Sequence, residues 1–253
     1  MSWAEEGGSL GGEVTDENAA RGSLGAASPA VPSSDALSLA APDSAHGDPG
    51  GGGREAVSEP LDAAMLDRLA GVIGQCTSAL DGYDHTRALA AAEEFFWLFC
   101  DDYLELVKDR AYGERGEAPG RSARTALRLA LSVILRLFAP FLPYVTEEVW
   151  SWWQDGSVHN AAWPAPDEVA PEQPAAALSA ALSAASGAIA AVRGAKSGAR
   201  MSMRTPVRAL VVTARQDHLD AVQAVLADVQ AAGRVEHTEL RRGDTEPAYE
   251  VTL

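Results

Sequence analysis

The sequence predicts a mainly α fold, a helical bundle followed by a small α+β appendage, and three observations carry that reading. Apolar residues recur at three and four positions from Met65 to Trp152, the period of a helix with one buried face. The breaks between these runs are short and hold Gly, Pro or a capping Asp, which is how antiparallel bundle helices are joined. After Val207 the pattern shortens toward strands interrupted by one amphipathic helix.

The first helix follows Pro60, with Met65, Leu69, Ile73, Cys76 and Leu80 on one stripe and Gly82 at its end. Asp84 is a good N-cap for a second, longer helix whose face runs Ala88, Ala92, Phe95, Phe99, Tyr103 and Leu106 as far as Arg110. Gly113 and the stretch from Gly116 to Gly120 break it. A third helix is expected from about Ser122 to Ala139, with Leu127, Leu131, Ile134 and Phe138 inward and Arg121, Arg124 and Arg128 on another stripe. Pro143 suits the first turn of a fourth, which carries Val145, Val149 and Trp152 inward and ends at Gly156. Trp163-Pro164 and the prolines up to Pro174 read as a strap across the bundle. An Ala-rich helix follows with Leu178, Leu182, Ala185, Ile189 and Val192, its last turns basic. The appendage begins with a strand over Val207 to Thr213, then one helix through Leu219, Val222 and Val225 closed by Gly233, then weaker strands at 235–240 and 249–253.

The resulting division is an arm over 1–59, a bundle over 60–165, a strap and basic helix over 166–206, and the appendage over 207–253. Gly, Ala, Ser, Pro and acid dominate the arm, which has no apolar period to offset the entropy of ordering and is expected to be disordered. Its Gly50 to Gly53 run is followed by no Gly-Lys-Ser/Thr, so linker is the better reading than phosphate cradle. Glu5 and Glu6 stand where a signal peptide needs a basic patch and an apolar core. No run approaches the roughly 20 apolar residues that cross a bilayer, so the protein is expected to be soluble and cytoplasmic with no membrane partner. Cys76 and Cys100 each sit among apolar neighbours and read as small hydrophobes, without a zinc site.

The formal charge of -16 argues superficially against nucleic acid, but its distribution is uneven. The arm holds ten acids against Arg21 and Arg54, whereas Arg193, Lys196, Arg200, Arg204, Arg208 and Arg215 follow one another with no acid between them. Catalytic constellations are not found. The five histidines stand singly, and the pairs Glu93-Glu94, Asp101-Asp102 and Glu147-Glu148 are adjacent acids that point about 100° apart on a helix rather than converging. The sequence therefore offers no candidate catalytic or metal-binding residues.

Two blocks of text rise above this background. The run Phe95-Phe96-Trp97-Leu98-Phe99-Cys100-Asp101-Asp102-Tyr103-Leu104-Glu105-Leu106-Val107-Lys108-Asp109-Arg110 resembles the long anticodon-domain helix of bacterial valyl-tRNA synthetases. The run Leu135-Arg136-Leu137-Phe138-Ala139-Pro140-Phe141-Leu142-Pro143-Tyr144-Val145-Thr146-Glu147-Glu148-Val149-Trp150, with Trp163-Pro164 after it, is similar to the family's apolar helix, paired prolines and Thr-Glu-Glu. The resemblance covers about 60–213 and implies a tRNA-binding, anticodon-reading module serving attachment of valine to its tRNA. Complete members of that family place a His-x-Gly-His motif, a Lys-Met-Ser-Lys-Ser loop and an editing domain ahead of the bundle. None precedes Pro60, and Arg200-Met201-Ser202-Met203-Arg204 mimics the second motif only loosely and in the wrong place. The expectation is a chain without a cofactor of its own, ATP belonging to the complete enzyme, that is inactive alone. Its expected partner is tRNA, in the first place valine tRNA. A separate catalytic chain would make it half of a split ligase, and a synthetase-derived protein adaptor is the other alternative.

The expected tRNA contacts are of two kinds. Lys108, Arg110 and Tyr112 stand where the second helix opens into a Gly-rich loop, with Arg124 and Arg128 on the following helix. Arg193, Lys196, Arg200 and Arg204 would share one face if the helix persisted past Gly194 and Gly198, and such stripes bind phosphate.

Overall fold

Proline at the first position of helix α1 (Pro60–Asp81) costs no hydrogen bond, and Gly82 closes its far end. Leu61, Met65, Leu66, Leu69, Ile73 and Cys76 are buried along it. The computed structural model describes residues 54–171 and 175–253, with side chains from 55 to 171 and from 179 on. The arm expected over 1–59 therefore lies outside the described residues except for 54–59. There a short 3-10 turn, Arg54–Ala56, leads to Ser58 and Glu59, whose backbone N–H groups donate to Ser122 Oγ, both at 3.1 Å.

Asp84 caps α2 (His85–Leu98), its carboxylate accepting the Arg87 N–H at 3.0 Å. The helix does not stop at Leu98: a π turn over Phe99–Tyr103 carries it into α3 (Leu104–Ala111), with the Leu104 N–H reaching back to the Phe99 carbonyl. The wider turn keeps Phe95, Phe99 and Tyr103 stacked, with ring centroids 6.2 and 5.7 Å apart, and the whole expected face from Ala88 to Leu106 is buried.

Helix α4 (Glu117–Phe138) starts ahead of the expected Ser122. Gly116 at φ 93° turns the chain, and a Cβ on Gly120 would stand 2.9 Å from the Arg110 carbonyl, so glycine here lets α4 begin against the end of α3 rather than extending the loop. Leu127, Ile134 and Phe138 are buried as expected, and Leu131 is half-buried.

The fourth helix, α5 (Pro143–Ser151), corrects the inward stripe. Val145 is 53% and Trp152 55% exposed, while Trp150 is buried beside Leu135, Ala139 and Val158 in a small second core. In the described part of the stretch read as a strap, which stops at 171, Trp163 Nε1 donates to Thr77 Oγ1 at 2.9 Å, Val169 is fully buried, and Glu168 pairs with Arg136 at 2.6 Å. Burial works against the Glu168 charge, but the Arg136 hydrogen bonds, the Ala165 N–H and the Arg136 charge together hold its pKa below the ordinary carboxylate value.

Helix α6 (Ala175–Gly198) passes Gly194 unbroken and packs on α1 on one side and on the appendage on the other. The appendage is a three-stranded sheet in the order β2-β1-β3, from β1 (Val207–Ala214), β2 (Val235–Arg242) and β3 (Ala248–Thr252). β1 runs parallel to β2 and antiparallel to β3. The single helix expected between β1 and β2 is two, α7 (Gln216–Ala224) and α8 (Leu226–Gly233), broken at Val225. Val207, Leu210 and Val212 of β1 belong to the same buried cluster as Leu69, Ala185 and Val192, so one core runs from the bundle into the sheet. Among the described residues no helix is long and apolar enough to cross a membrane.

Candidate nucleic-acid interface

Arg110 reaches the end of α3 on the buried side. Its guanidinium is fully buried and donates to Asp62 through Nη1 at 2.8 Å and Nη2 at 2.7 Å, and to Asp228 of α8 through Nε at 2.8 Å. Tyr103 and Ser122 add their hydroxyl protons to Asp62 at 2.8 and 2.6 Å, and Arg115 closes on Asp228 from the loop. Burial works against the Arg110 charge, but the bonds and charge of Asp62, then those of Asp228, more than compensate and raise its pKa above the ordinary value. The Tyr103 hydroxyl is pushed well above its usual range, by burial first and by the Asp62 charge second. Arg110 was expected to touch tRNA; with every donor directed inward it holds α1, α3 and α8 together instead.

Its sequence neighbours do face solvent. Tyr112 is 48% exposed just past α3, and Lys108 is half-exposed beside Glu105 at 3.7 Å, a spacing that leaves the ammonium free to exchange partners. On α4 the Arg121, Arg124 and Arg128 stripe emerges as expected, but unevenly. Arg124 spans the Ala111 carbonyl at 3.2 Å and Glu117 at 3.1 Å, whereas Arg128 is exposed with no side-chain partner among the described residues.

The second group divides more sharply. Arg193 is paired with Asp102 at 2.7 Å and with the Asp101 carbonyl, acids that the sequence places far from it but the fold brings across from the π turn. Lys196 is 1% exposed and donates to the carbonyls of Met203 at 3.0 Å and Gly233 at 2.9 Å, so it is no surface cation. Burial, and then the nearby Arg234 charge, hold its pKa below the ordinary lysine value. The helix ends at Gly198, and Arg200 takes φ 55° in the turn that follows, so the continuous four-residue stripe does not form. Arg200 and Arg204 instead sit on an exposed loop with Met201 and Met203, and neither guanidinium has a partner among the described residues. The candidate interface is thus two surfaces: the end of α3 with Lys108 and Tyr112, Arg128 lying further along α4, and the loop over 199–206 with Arg200 and Arg204.

Sequence reasoning missed Asp62, Arg115 and Asp228. Asp62 reads as an ordinary first-turn acid and Asp228 as the polar side of an amphipathic helix, and no local signal marks either as the partner of a distant arginine.

The signature described as the anticodon-binding domain of tRNA ligase matches residues 62–211. A valine–tRNA ligase of Salinispora tropica is 48% identical over 210 residues, covering 78% of this chain and 24% of that protein. One from Cutibacterium acnes is 45% identical over 199 residues, covering 78% of this chain and 22% of its own length. One from Thermobifida fusca reaches 65% identity over 113 residues, 45% of this chain and 13% of the relative. The chain thus spans about a quarter or less of these relatives' lengths. Matched by that signature from α1 into β1, and nearly half identical to a valine–tRNA ligase over most of its own residues, the chain belongs to the anticodon-binding domain family of tRNA ligases.

Proposed function

We propose that the chain binds tRNA, with valine tRNA its cognate, as the anticodon-binding portion of a valine–tRNA ligase, and that it does not activate valine by itself. The observation that supports this most is the family match, which spans the bundle, the strap and α6. Two exposed basic surfaces with unpaired or weakly paired cations give the phosphate contacts such binding needs, despite the formal charge of -16. Tyr112 beside Lys108 adds a ring on which an unpaired base can stack. The sequence holds neither a His-x-Gly-His motif nor a Lys-Met-Ser-Lys-Ser loop, so ATP chemistry is assigned to a catalytic part of the kind the full-length relatives are named for.

The test is a fluorescence-anisotropy titration of labelled valine tRNA, and of a tRNA with an altered anticodon, at several salt concentrations. Binding is expected to weaken with salt by about 0.7 to 0.9 in log–log slope per phosphate contact, and to favour the cognate anticodon. Valine-dependent pyrophosphate exchange, run on the same preparation, is expected at blank level. Absence of salt-dependent affinity for either tRNA would replace this reading with that of a protein adaptor.

A further inference from the structure

Lys196 is a lysine in an unusual position for a family expected to spend its cations on RNA. Its ammonium is withdrawn from solvent and joins two carbonyls that belong to different pieces of the fold: Met203, in the loop that presents Arg200 and Arg204, and Gly233, the last residue of α8. The same loop is held a second time, by Arg234 Nη1 to the Arg204 carbonyl at 3.3 Å, and is tied to the end of α6 by the Met201 N–H to the Lys196 carbonyl at 2.8 Å. Helix α8 is also anchored toward its other end, where Asp228 takes Arg110 and Arg115 from the α3–α4 tip. The chain of contacts therefore runs tip, α8, Lys196, loop.

We propose that Lys196 is a positioning residue for RNA binding, its buried ammonium fixing the Arg200–Arg204 loop against α8 so that this loop and the α3–α4 tip meet one RNA together. The inference rests on the tRNA-binding reading above and adds to it which residue orders the second surface. Within the loop the bonds are short-range, the Arg204 N–H to Ser202 Oγ at 3.2 Å and the Thr205 N–H to the Ser202 carbonyl at 2.9 Å, so its placement against α8 falls to Lys196 and Arg234, and ordering it on contact would cost affinity. A loop ordered in advance loses less on binding. Placing a lysine in the wall, where it cannot touch phosphate, is explained by that role and not by charge.

Lys196→Met tests it, because methionine keeps an unbranched stem in the wall and removes all three donors. Full-chain proteins are compared in anisotropy titrations with labelled valine tRNA at several salt concentrations: wild type, Lys196→Met, Arg200→Ala with Arg204→Ala, and the triple variant. Lys196→Met is expected to weaken binding about tenfold and to lower the salt slope by about 1 to 2, although no phosphate-contacting group has been removed. The decisive reading is coupling: the two arginine substitutions should cost about tenfold in the wild-type background and less than about twofold once Lys196 is gone. Tryptic cleavage after Arg200 and Arg204 should quicken in Lys196→Met while the far-UV spectrum is unchanged. Should that variant lose helical content, Arg234→Gly cuts the second tie at a residue whose φ of 54° glycine adopts without strain, and the same coupling is read there. Wild-type binding with additive losses overturns this inference alone. No salt-dependent binding by wild type overturns the tRNA reading and this inference with it.

Discussion

Arginines that look alike in the sequence meet different fates in this fold, and the difference lies in what each finds within hydrogen-bonding distance. Arg110 has two carboxylates and is fully buried; Arg193 has one and is part-exposed; Arg128, Arg200 and Arg204 have none among the described residues and face solvent. The partners of Arg110 lie 48 and 118 positions away, so no reading of local spacing could reach them. This sets a prediction at Arg110. Arg110→Met keeps the stem but leaves Asp62 and Asp228 without their shared cation, and breaking a buried pair in this way typically costs about 3 to 5 kcal/mol. The loss should fall at the lower end, because Asp62 keeps the Tyr103 and Ser122 hydroxyls and Asp228 keeps Arg115. Urea unfolding monitored by circular dichroism measures it. A loss under about 1 kcal/mol would place the pair with surface salt bridges and refute the buried-network account.

Among the elements, legibility followed contrast between faces. In α2 and α3 the apolar stripe is flanked by Glu93, Glu94, Asp101 and Asp102, so the buried side could be read from the text even across a π turn. In α5 and the turn after it the contrast is weak: Tyr144, Val145, Val149 and Trp150 are followed by Trp152 and Trp153, and a stripe chosen by spacing alone points Val145 and Trp152 inward. The structure turns Trp150 inward because that face meets Leu135 and Val158. Replacing each by Ala separates the two. Trp150→Ala should cost about 3 to 5 kcal/mol, the range for emptying a large core position. Trp152→Ala should change stability by no more than about 0.5 kcal/mol, since it removes an exposed ring and its bond to Glu148. Equal losses in thermal melts would mean that α5 is rotated relative to the face described. Glycine misled in the same way: the Gly116–Gly120 stretch reads as loop, yet Gly120 serves a close helix contact that only the tertiary neighbour, the Arg110 carbonyl, reveals.

At the scale of the molecule the sequence suggested a bundle with an appendage behind it, and the secondary-structure classes were legible because the change of period at Val207 is abrupt. What periodicity could not show is that the two parts share their interior. Helix α6 buries Ala181, Ala184, Ala185 and Ala188 beside Leu182, Ile189 and Val192, and it packs against α1 and against α7, α8 and β3. A Cβ on Gly187 would lie 2.7 Å from the Tyr249 hydroxyl, so glycine here lets β3 come close against this helix. The continuous core and the Arg110–Asp228 bridge together imply that the sheet has little stability independent of the bundle. Hydrogen exchange in rising urea checks this, because the amides of Leu210 and Val212 in the central strand and those of Leu69 and Ile73 in α1 report the two halves separately. Their opening free energies are expected to converge on one value, with the same denaturant slope, as one cooperative unit requires. Asp228→Asn weakens the bridge while leaving the shared core intact, so it should lower both sets together by a similar amount. A sheet that opens at lower urea than α1 in the wild type would show that the appendage unfolds alone, and the bundle would then be the only part whose cations hold a fixed arrangement for RNA.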